Sequence, residues 1–247
     1  MILLAILFLV TAALYASVGL GGGSTYLALL LIWGTPYFIF PIIALFCNVI
    51  VVFGNCINYT RAGNLNLKVL LPYLLGSIPL AFIGGALSIE KEFFEILLFL
   101  ILITAGTMLL FNFKLYRNKI EGYKKIPVPI SILIGGIIGF ISGVVGIGGG
   151  IFLSPILFLL RAAKAKEIVT AASLFILINS ISGIIGQLTK NDVLNEIQNY
   201  WYLLIVVLIG GQLGNFLNLK IFPVRILALV TASLVLFVAI RMGFRFL

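Results

Sequence analysis

Residues 17–24 read SVGLGGGS and residues 144–151 read VVGIGGGI, each inside a long apolar run. Gly19 and Gly146 differ by 127 in residue number, and so do Gly21 and Gly148. A glycine inside a helix costs about 1 kcal/mol relative to alanine, so each cluster predicts a break in a helix. Matching breaks in the two halves of a membrane protein are typical of the binding site of a transporter.

The composition predicts a multi-pass protein of the cell membrane, with the lipid bilayer as its surroundings. The chain is 62% hydrophobic and 9% charged, with a mean hydropathy of +1.27, whereas soluble domains carry about 25% charged residues. Its 16 Lys/Arg and 7 Asp/Glu residues fall in connectors or at the ends of apolar runs. The net charge of +9 is scattered over short loops, which indicates orienting charges rather than a nucleic-acid site.

Ten apolar runs predict an all-α polytopic helical bundle. They cover residues 2–18, 24–33, 37–58, 69–89 and 93–113 in the first half, and 130–145, 151–160, 168–188, 200–219 and 226–242 in the second. A spanning helix needs about 20 apolar residues, so eight of these runs are long enough, or nearly so, to cross. The two runs after the glycines have ten residues each and predict short broken or re-entrant helices.

Three regions follow from this pattern: a first membrane repeat over residues 1–113, a basic connector over 114–129 and a second repeat over 130–247. The connector contains Lys114, Arg117, Lys119, Lys124 and Lys125 against the single acid Glu121. Because cytoplasmic loops are enriched in Lys and Arg, we expect this connector to be cytoplasmic.

The charges leave two topologies for residues 130–160, which either cross once or return to the same side. If they return, the basic residues of 161–166 lie inside and the acidic loop around Asp192 lies outside. This option fits the charge rule better, although it leaves Arg241 and Arg245 outside. It also makes the two halves inverted repeats, which is the arrangement we favour.

The duplication extends beyond the glycines. Asn48 and Asn179 differ by 131 in residue number, and Gly84 and Gly214 differ by 130. The increase of this difference in residue number, from 127 to 130 and 131, predicts a small insertion near residues 161–167. Chance similarity of apolar segments is the alternative, and three matches in the same order argue against it.

An enzyme is disfavoured by the residues available. The chain has no histidine, no paired carboxylates inside an apolar run and no cysteine next to a base, whereas acid–base catalysis needs a titratable group. Cys47 and Cys56 lie nine positions apart in one predicted helix, too far for a disulfide, and we interpret them as packing residues. No metal or other cofactor is predicted. The glycines also lack the lysine of a phosphate-binding loop, and Ser24 replaces a glycine of the dinucleotide fingerprint.

The glycine breaks themselves predict an anion site. Each starts a short helix, and a helix N-terminus attracts anions through its unpaired N–H groups and its dipole. Non-helical backbone at membrane depth is tolerated only where it lines a cavity or is buried in protein. Two such helix starts that meet near the midplane would bind an anion without a lysine. The alternative is that the glycines only allow close helix packing.

Neutral polar side chains inside the apolar runs extend this candidate site. Asn48 and Asn179 lead because they follow the breaks at matching positions, while Asn55, Gln187 and Asn215 also lie in apolar runs. No Asp or Glu lies in the middle of a run to bind sodium or relay a proton, which disfavours cation transport. The predicted substrate-binding residues are Gly21, Gly22, Gly23, Ser24, Asn48, Gly148, Gly149, Gly150, Ser173, Asn179 and Ser180.

Several motifs resemble those of the sulfite exporter TauE/SafE family of membrane permeases. They occupy residues 19–24, 44–48, 77–79, 84–85, 146–155, 164–167, 171–175 and 179–183, so the resemblance covers nearly the whole chain. It implies about eight membrane helices and transport of sulfite, sulfonates or related small anions. Residues 26–28 read YLA where the second half has FLSP at 152–155, so the halves are expected to contribute unequally.

We therefore expect a permease or exporter that moves a small sulfur-containing anion by alternating access, with that anion as its partner and no nucleic acid. The sequence makes no prediction about oligomeric state. The alternative is a channel-like or structural membrane protein whose glycines serve packing alone.

Overall fold

The computed structural model describes residues 2–17, 19–115, 124–190, 197–217 and 224–246. In this part of the chain the first half forms α1 (Ile2–Ala16), α2 (Gly23–Ile32), α3 (Phe40–Arg61), α4 (Leu67–Ala86) and α5 (Lys91–Leu115). The second half forms α6 (Val128–Val145), α7 (Gly150–Leu159), α8 (Ala165–Gln187), α9 (Trp201–Leu217) and α10 (Val224–Phe246). Short 3-10 turns precede α3 (Tyr37–Ile39) and α9 (Gln198–Tyr200).

The all-helical class predicted from the sequence is confirmed. Four described helices are long and apolar enough to cross a membrane: Tyr37–Arg61, Leu67–Ala86, Val128–Val145 and Ala165–Gln187. The two helices after the glycine clusters have ten residues each, because the clusters break both apolar stretches at the expected points. The predicted count of eight crossings stays a prediction. Connector residues 116–123 and the loop around Asp192 and Glu196 lie outside the described residues.

Helices α3 and α8 form the centre of the bundle. Their most apolar windows are 61% and 67% buried, against 44% and 50% for α4 and α6. Leu45 lies against Gly183, while Val52 belongs to one buried cluster with Ile176. Residue numbers rise along α3 as they fall along α8, so the two helices are antiparallel.

The other helices pack around this pair. Helix α4 contacts α6 and α8, α1 contacts α9, α9 contacts α3, and α5 contacts α10. On α6, Gly135, Gly139 and Gly143 face the backbone of α4 so closely that an added Cβ would lie less than 3.0 Å from it. Small residues that let helix backbones approach are a common basis of association in membranes. The packing interpretation therefore applies to the glycines of α6.

The charged residues collect at the two ends of the bundle. Asn66 Nδ2 donates to Glu167 Oε2 at 3.4 Å, and the Lys124 N–H donates to the Arg161 carbonyl at 3.1 Å. The starts of α4, α6 and α8 and the end of α7 thus lie together. We call this the basic end; its described charged residues are Arg61, Lys68, Lys124, Lys125, Arg161, Lys164, Lys166 and Glu167. The opposite end carries Glu90, Lys91, Glu92, Glu95, Lys190 and Arg241.

Candidate functional site

The two glycine clusters meet inside the bundle. Gly22 (φ 85°) precedes α2 and Gly149 (φ 77°) precedes α7, and both adopt the left-handed conformation that glycine reaches without steric cost. A Cβ on Gly23 would lie 2.6 Å from the Ile147 carbonyl oxygen. The chain thus enters both short helices side by side, and the first turn of each helix leaves N–H groups without a partner in that helix.

Asn48 of α3 lies between these clusters and is fully buried. An added Cβ would approach its side-chain amide within 3.0 Å from Gly21, Gly23 and Gly148. The Asn48 Nδ2 donates to the Gly146 carbonyl at 3.4 Å, while its Oδ1 accepts no hydrogen bond from the described residues. The amide Nδ2 carries two N–H donors and the Gly146 carbonyl takes one of them, so the second can donate to a ligand.

Helix α8 brings two more polar side chains to the same level. Because Leu45 lies beside Gly183 and Val52 lies near Ile176, Asn48 is level with residues 179 and 180. Asn179 Nδ2 donates to the Phe175 carbonyl at 2.9 Å. The Asn179 Oδ1 and the Ser180 Oγ are buried and find no partner in the described part of the chain. Three unpaired polar atoms therefore lie at one depth of the bundle.

The two other predicted hydroxyl groups have different settings. Ser173 Oγ donates to the Gly19 carbonyl and lies 3.0 Å from the Val169 carbonyl oxygen. Its hydroxyl therefore holds the first glycine cluster against α8 in this conformation. Ser24 is buried in the first turn of α2, one residue after Gly23.

A cavity lies at each end of the α3–α8 pair. The basic-end cavity encloses about 580 Å³ and is lined by Ala16, Ser17, Asn55, Asn58, Tyr59, Ala62, Asn64, Ala165, Lys166, Val169, Gly214 and Asn215. The second cavity, which we call the Lys190 cavity, encloses about 290 Å³ and is lined by Tyr37, Phe38, Pro41, Leu87, Ser88, Ile89, Phe94, Val144 and Lys190.

A residue of each cavity wall lies against one of the glycine clusters. Tyr59, in the basic-end cavity, packs on Gly19, where an added Cβ would lie 2.6 Å from the Tyr59 hydroxyl oxygen. Pro41, in the Lys190 cavity, packs on Gly146, where an added Cβ would lie 2.5 Å from the Pro41 Cα. The two clusters, and Asn48 between them, are thus covered from both ends.

Sequence reasoning missed Tyr59 and Lys190 as functional candidates, whereas it included Asn215 among the polar residues of the apolar runs. Lys190 follows the last turn of α8 and reads as an ordinary loop charge, yet it is partly buried in a cavity wall. Both polar atoms of the Asn215 side chain are buried without a partner among the described residues, beside Gly54. Only the interior position of Asn215 in an apolar run signalled it from the sequence.

The profile of the family described as "Sulfite exporter TauE/SafE" matches residues 3–242. The chain belongs to this family. The resemblance inferred from the glycine motifs is thereby confirmed, and it places the chain among membrane transporters.

Two curated relatives cover most of the chain. The "Probable membrane transporter protein y4hK" of Sinorhizobium fredii is 28% identical over 87% of this chain and 87% of its own length. The "Probable membrane transporter protein YunE" of Bacillus subtilis is 24% identical over 95% of this chain and 94% of its own length. No solved structure matches the chain significantly.

Proposed function

We propose that this TauE/SafE family member is a permease that moves a small anion, such as sulfite or a sulfonate, across the cell membrane by alternating access. The observation that carries this proposal is the position of Asn48 between the two glycine clusters. Together with Asn179 and Ser180 it can supply donors to an anion: each amide Nδ2 has a second N–H that its carbonyl partner does not use, and the buried Ser180 hydroxyl finds no partner in the described bundle. The starts of α2 and α7 add N–H groups and the positive ends of two helix dipoles.

An inverted repeat is supported by pairs of equivalent contacts. Asn55 Nδ2 donates to the Ala16 carbonyl at 2.6 Å, and Gln187 Nε2 donates to the Gly143 carbonyl at 3.0 Å. The donors differ by 132 in residue number, and the acceptors differ by 127. The contact of Ser173 with Gly19 likewise matches the contact of Pro41 with Gly146. Ser173 and Pro41 differ by 132 in residue number, and Gly146 and Gly19 differ by 127.

The direction of the helices indicates that these repeats are inverted rather than parallel. Helices α3 and α8 are counterparts of each other, and they run antiparallel. Counterparts α5 and α10 also run antiparallel, because Gly106 lies near Leu236 while Phe99 lies near Gly243. A two-fold axis that exchanges antiparallel helices is perpendicular to them, as in transporters with inverted repeats.

The two cavities are counterparts under the same relation. Ser17 corresponds to Val144, Asn58 to Lys190 and Val169 to Tyr37, and each residue lines its own cavity. Two equivalent cavities at opposite ends, with a covered polar centre between them, favour a carrier that opens to one side at a time. A continuous channel would need an open path past Tyr59 and Pro41.

The distribution of charge supports an orientation. Among the residues whose side chains the structure describes, the basic end carries seven Lys/Arg and one Glu, against three Lys/Arg and three Glu at the opposite end. The positive-inside rule then puts the basic end in the cytoplasm. The chemistry of the centre supports an anion as substrate, since the buried polar residues of the described structure are Ser, Thr, Asn and Gln, with no carboxylate among them to bind a cation. The proposal assigns no catalytic step to the chain.

Transport of radiolabelled sulfite by the full chain in proteoliposomes tests the proposal. We expect saturable flux that unlabelled sulfite and methanesulfonate inhibit. Asn48→Ala should reduce it, whereas Thr107→Val, a control in α5 whose hydroxyl bonds to its own helix, should not. Flux that does not saturate would favour a channel, and no anion-dependent flux or binding at all would overturn the transport proposal.

A further inference from the structure

Lys190 places an ammonium group in the wall of a mostly apolar cavity. The cavity has aromatic and proline side chains on one side, from Tyr37, Phe38, Pro41 and Phe94, and the end of α4 on the other. A cation beside apolar walls needs a partner, because burying an isolated charge is expensive.

Among the described residues the Lys190 side chain has one hydrogen-bond partner, which leaves most of its donor capacity unused. The Lys190 Nζ donates to Gln187 Oε1 at 3.1 Å, whereas an ammonium group has three donors. Within the described residues the one ion pair is Lys91 with Glu95 at 3.9 Å, so no described carboxylate neutralises Lys190. Burial lowers the pKa of Lys190 to about 8, as expected for a poorly solvated cation.

The cavity leads to the second glycine cluster. Gln187, which accepts from Lys190, donates in turn to the carbonyl of Gly143 near the end of α6. Pro41 lines the cavity and packs on Gly146. An anion held by Lys190 would therefore lie on the cavity side of Gly146, next to the predicted central site.

The equivalent position in the first repeat does not carry a lysine, so the repeat does not explain why Lys190 is charged. The counterpart of Lys190 is Asn58, which lines the basic-end cavity without a charge. The Lys190 ammonium group therefore has no counterpart at the equivalent position of the basic-end cavity, whose own lysine, Lys166, comes from the start of α8. The end that carries Lys190 faces the outside in the proposed orientation.

We propose that the Lys190 cavity is a binding subsite for a small organic sulfonate, with the Lys190 ammonium on the sulfonate oxygens and the apolar wall on the carbon chain. A volume of about 290 Å³ is at the lower limit of ligand pockets, which suits a ligand of a few heavy atoms. This subsite rests on the proposed function and deepens it, since it names a substrate class and a binding step at one end.

The test measures binding of 1-propanesulfonate to the full chain, purified in a zwitterionic detergent, by calorimetry. We expect Lys190→Gln to weaken binding about tenfold to a hundredfold, the range for a lost hydrogen bond to a charged group. Lys190→Arg should retain the affinity within about threefold. Lys91→Gln is the matched control, because it removes the same charge at the same end from an exposed position; it should bind like the wild type.

Unchanged affinity in Lys190→Gln, or an equal loss in Lys91→Gln, would overturn the subsite. If Lys190→Gln does not fold, the comparison is made with Lys190→Met, which keeps the apolar stem. A lipid phosphate offers the same chemistry as a sulfonate, so the assay is repeated with added phosphatidylglycerol. Binding of that lipid without binding of propanesulfonate would also contradict the proposal.

Flux measurements separate this inference from the proposed function. If the wild type transports sulfite and Lys190→Gln shows the same KM for propanesulfonate, the subsite is wrong and the transport function stands. If the wild type neither transports nor binds these anions, both fail.

Discussion

The side-chain amide of Asn48 donates to the carbonyl of Gly146 at 3.4 Å, which joins the middle of α3 to the glycine cluster of the other half of the chain. One buried side chain thus touches both helix breaks. Its Oδ1 finds no partner in the described structure, although it lies close to Gly21. This pairing of a break with an amide from the opposite repeat defines the proposed centre of transport.

Asn179→Ala should weaken anion binding about tenfold, because it removes an amide N–H that Phe175 does not use and that can donate to the charged ligand. The fold should be little affected, because the Asn179 Nδ2 bonds only within its own helix, to Phe175. Ligand-dependent thermal stabilisation by sulfite measures the affinity, and the melting temperature without ligand checks the fold. Equal stabilisation of variant and wild type would remove Asn179 from the site.

Gly21→Ala should abolish anion-dependent stabilisation. The new methyl group would lie closer than 3.0 Å to the Asn48 Oδ1, so the Asn48 amide would have to move out of its position between the glycine clusters. Gly211→Ala is the control, since its nearest neighbour is 3.7 Å away in ordinary contact. If both alanine variants bind sulfite like the wild type, the space beside Asn48 is not the binding site.

Gly139→Ala should destabilise the folded protein by about 1–3 kcal/mol, because the added methyl group would overlap the backbone of Ser77 where α4 meets α6. Equilibrium unfolding in detergent, with Gly211→Ala for comparison, measures this effect. An unchanged unfolding midpoint would contradict the close packing of α4 on α6.

Sulfonate binding at the Lys190 cavity should weaken about tenfold between pH 7 and pH 9. The pKa of Lys190 is about 8, so the charged fraction of its ammonium falls about tenfold over this range, while a sulfonate keeps its charge. Among the described residues, the other charged or titratable groups at this end are Tyr37, Glu90, Lys91, Glu92, Glu95, Tyr200, Tyr202 and Arg241, while Asp192 and Glu196 lie outside the described residues. Lys190→Arg keeps all of them, and its binding should be independent of pH over this range. A persistent pH dependence in that variant would assign the titration to another group.

The orientation can be tested with single cysteines. Cys47 and Cys56 are buried and should not react with a membrane-impermeant maleimide. In intact cells we expect labelling of Glu92→Cys but not of Lys68→Cys, which should react only after the membrane is permeabilised. The reverse pattern would invert the proposed topology.

Much of the site follows from the sequence because glycine clusters break helices wherever they occur. The breaks at Gly22 and Gly149 and the burial of Asn48 were predictable on that ground. The register of α8 relative to α3 was not predictable, because packing determines it. The contacts of Asn55 and Gln187 relate α3 to α8 by a difference of 132 in residue number. In the proposed repeat this difference pairs Asn48 with Ser180, whereas the sequence spacing pairs it with Asn179.

Lys190 was not predictable for a related reason. A lysine two residues beyond an apolar run resembles any loop charge, and only the approach of α3, α4 and α6 encloses it. Conversely, Gly135, Gly139 and Gly143 lower the helical propensity of α6, yet the helix continues through them. The close contact of α4 compensates for the propensity that these glycines lack.

The central claim is that the anion binds between the two glycine clusters, at Asn48. Selenite, the heavier analogue of sulfite, tests it most directly in crystals of the full chain, through anomalous diffraction at the selenium edge. We expect a selenium peak within hydrogen-bonding reach of the Asn48 side chain and of the first turns of α2 and α7. A selenium peak confined to other parts of the protein, with none beside Asn48 at saturating selenite, would contradict it.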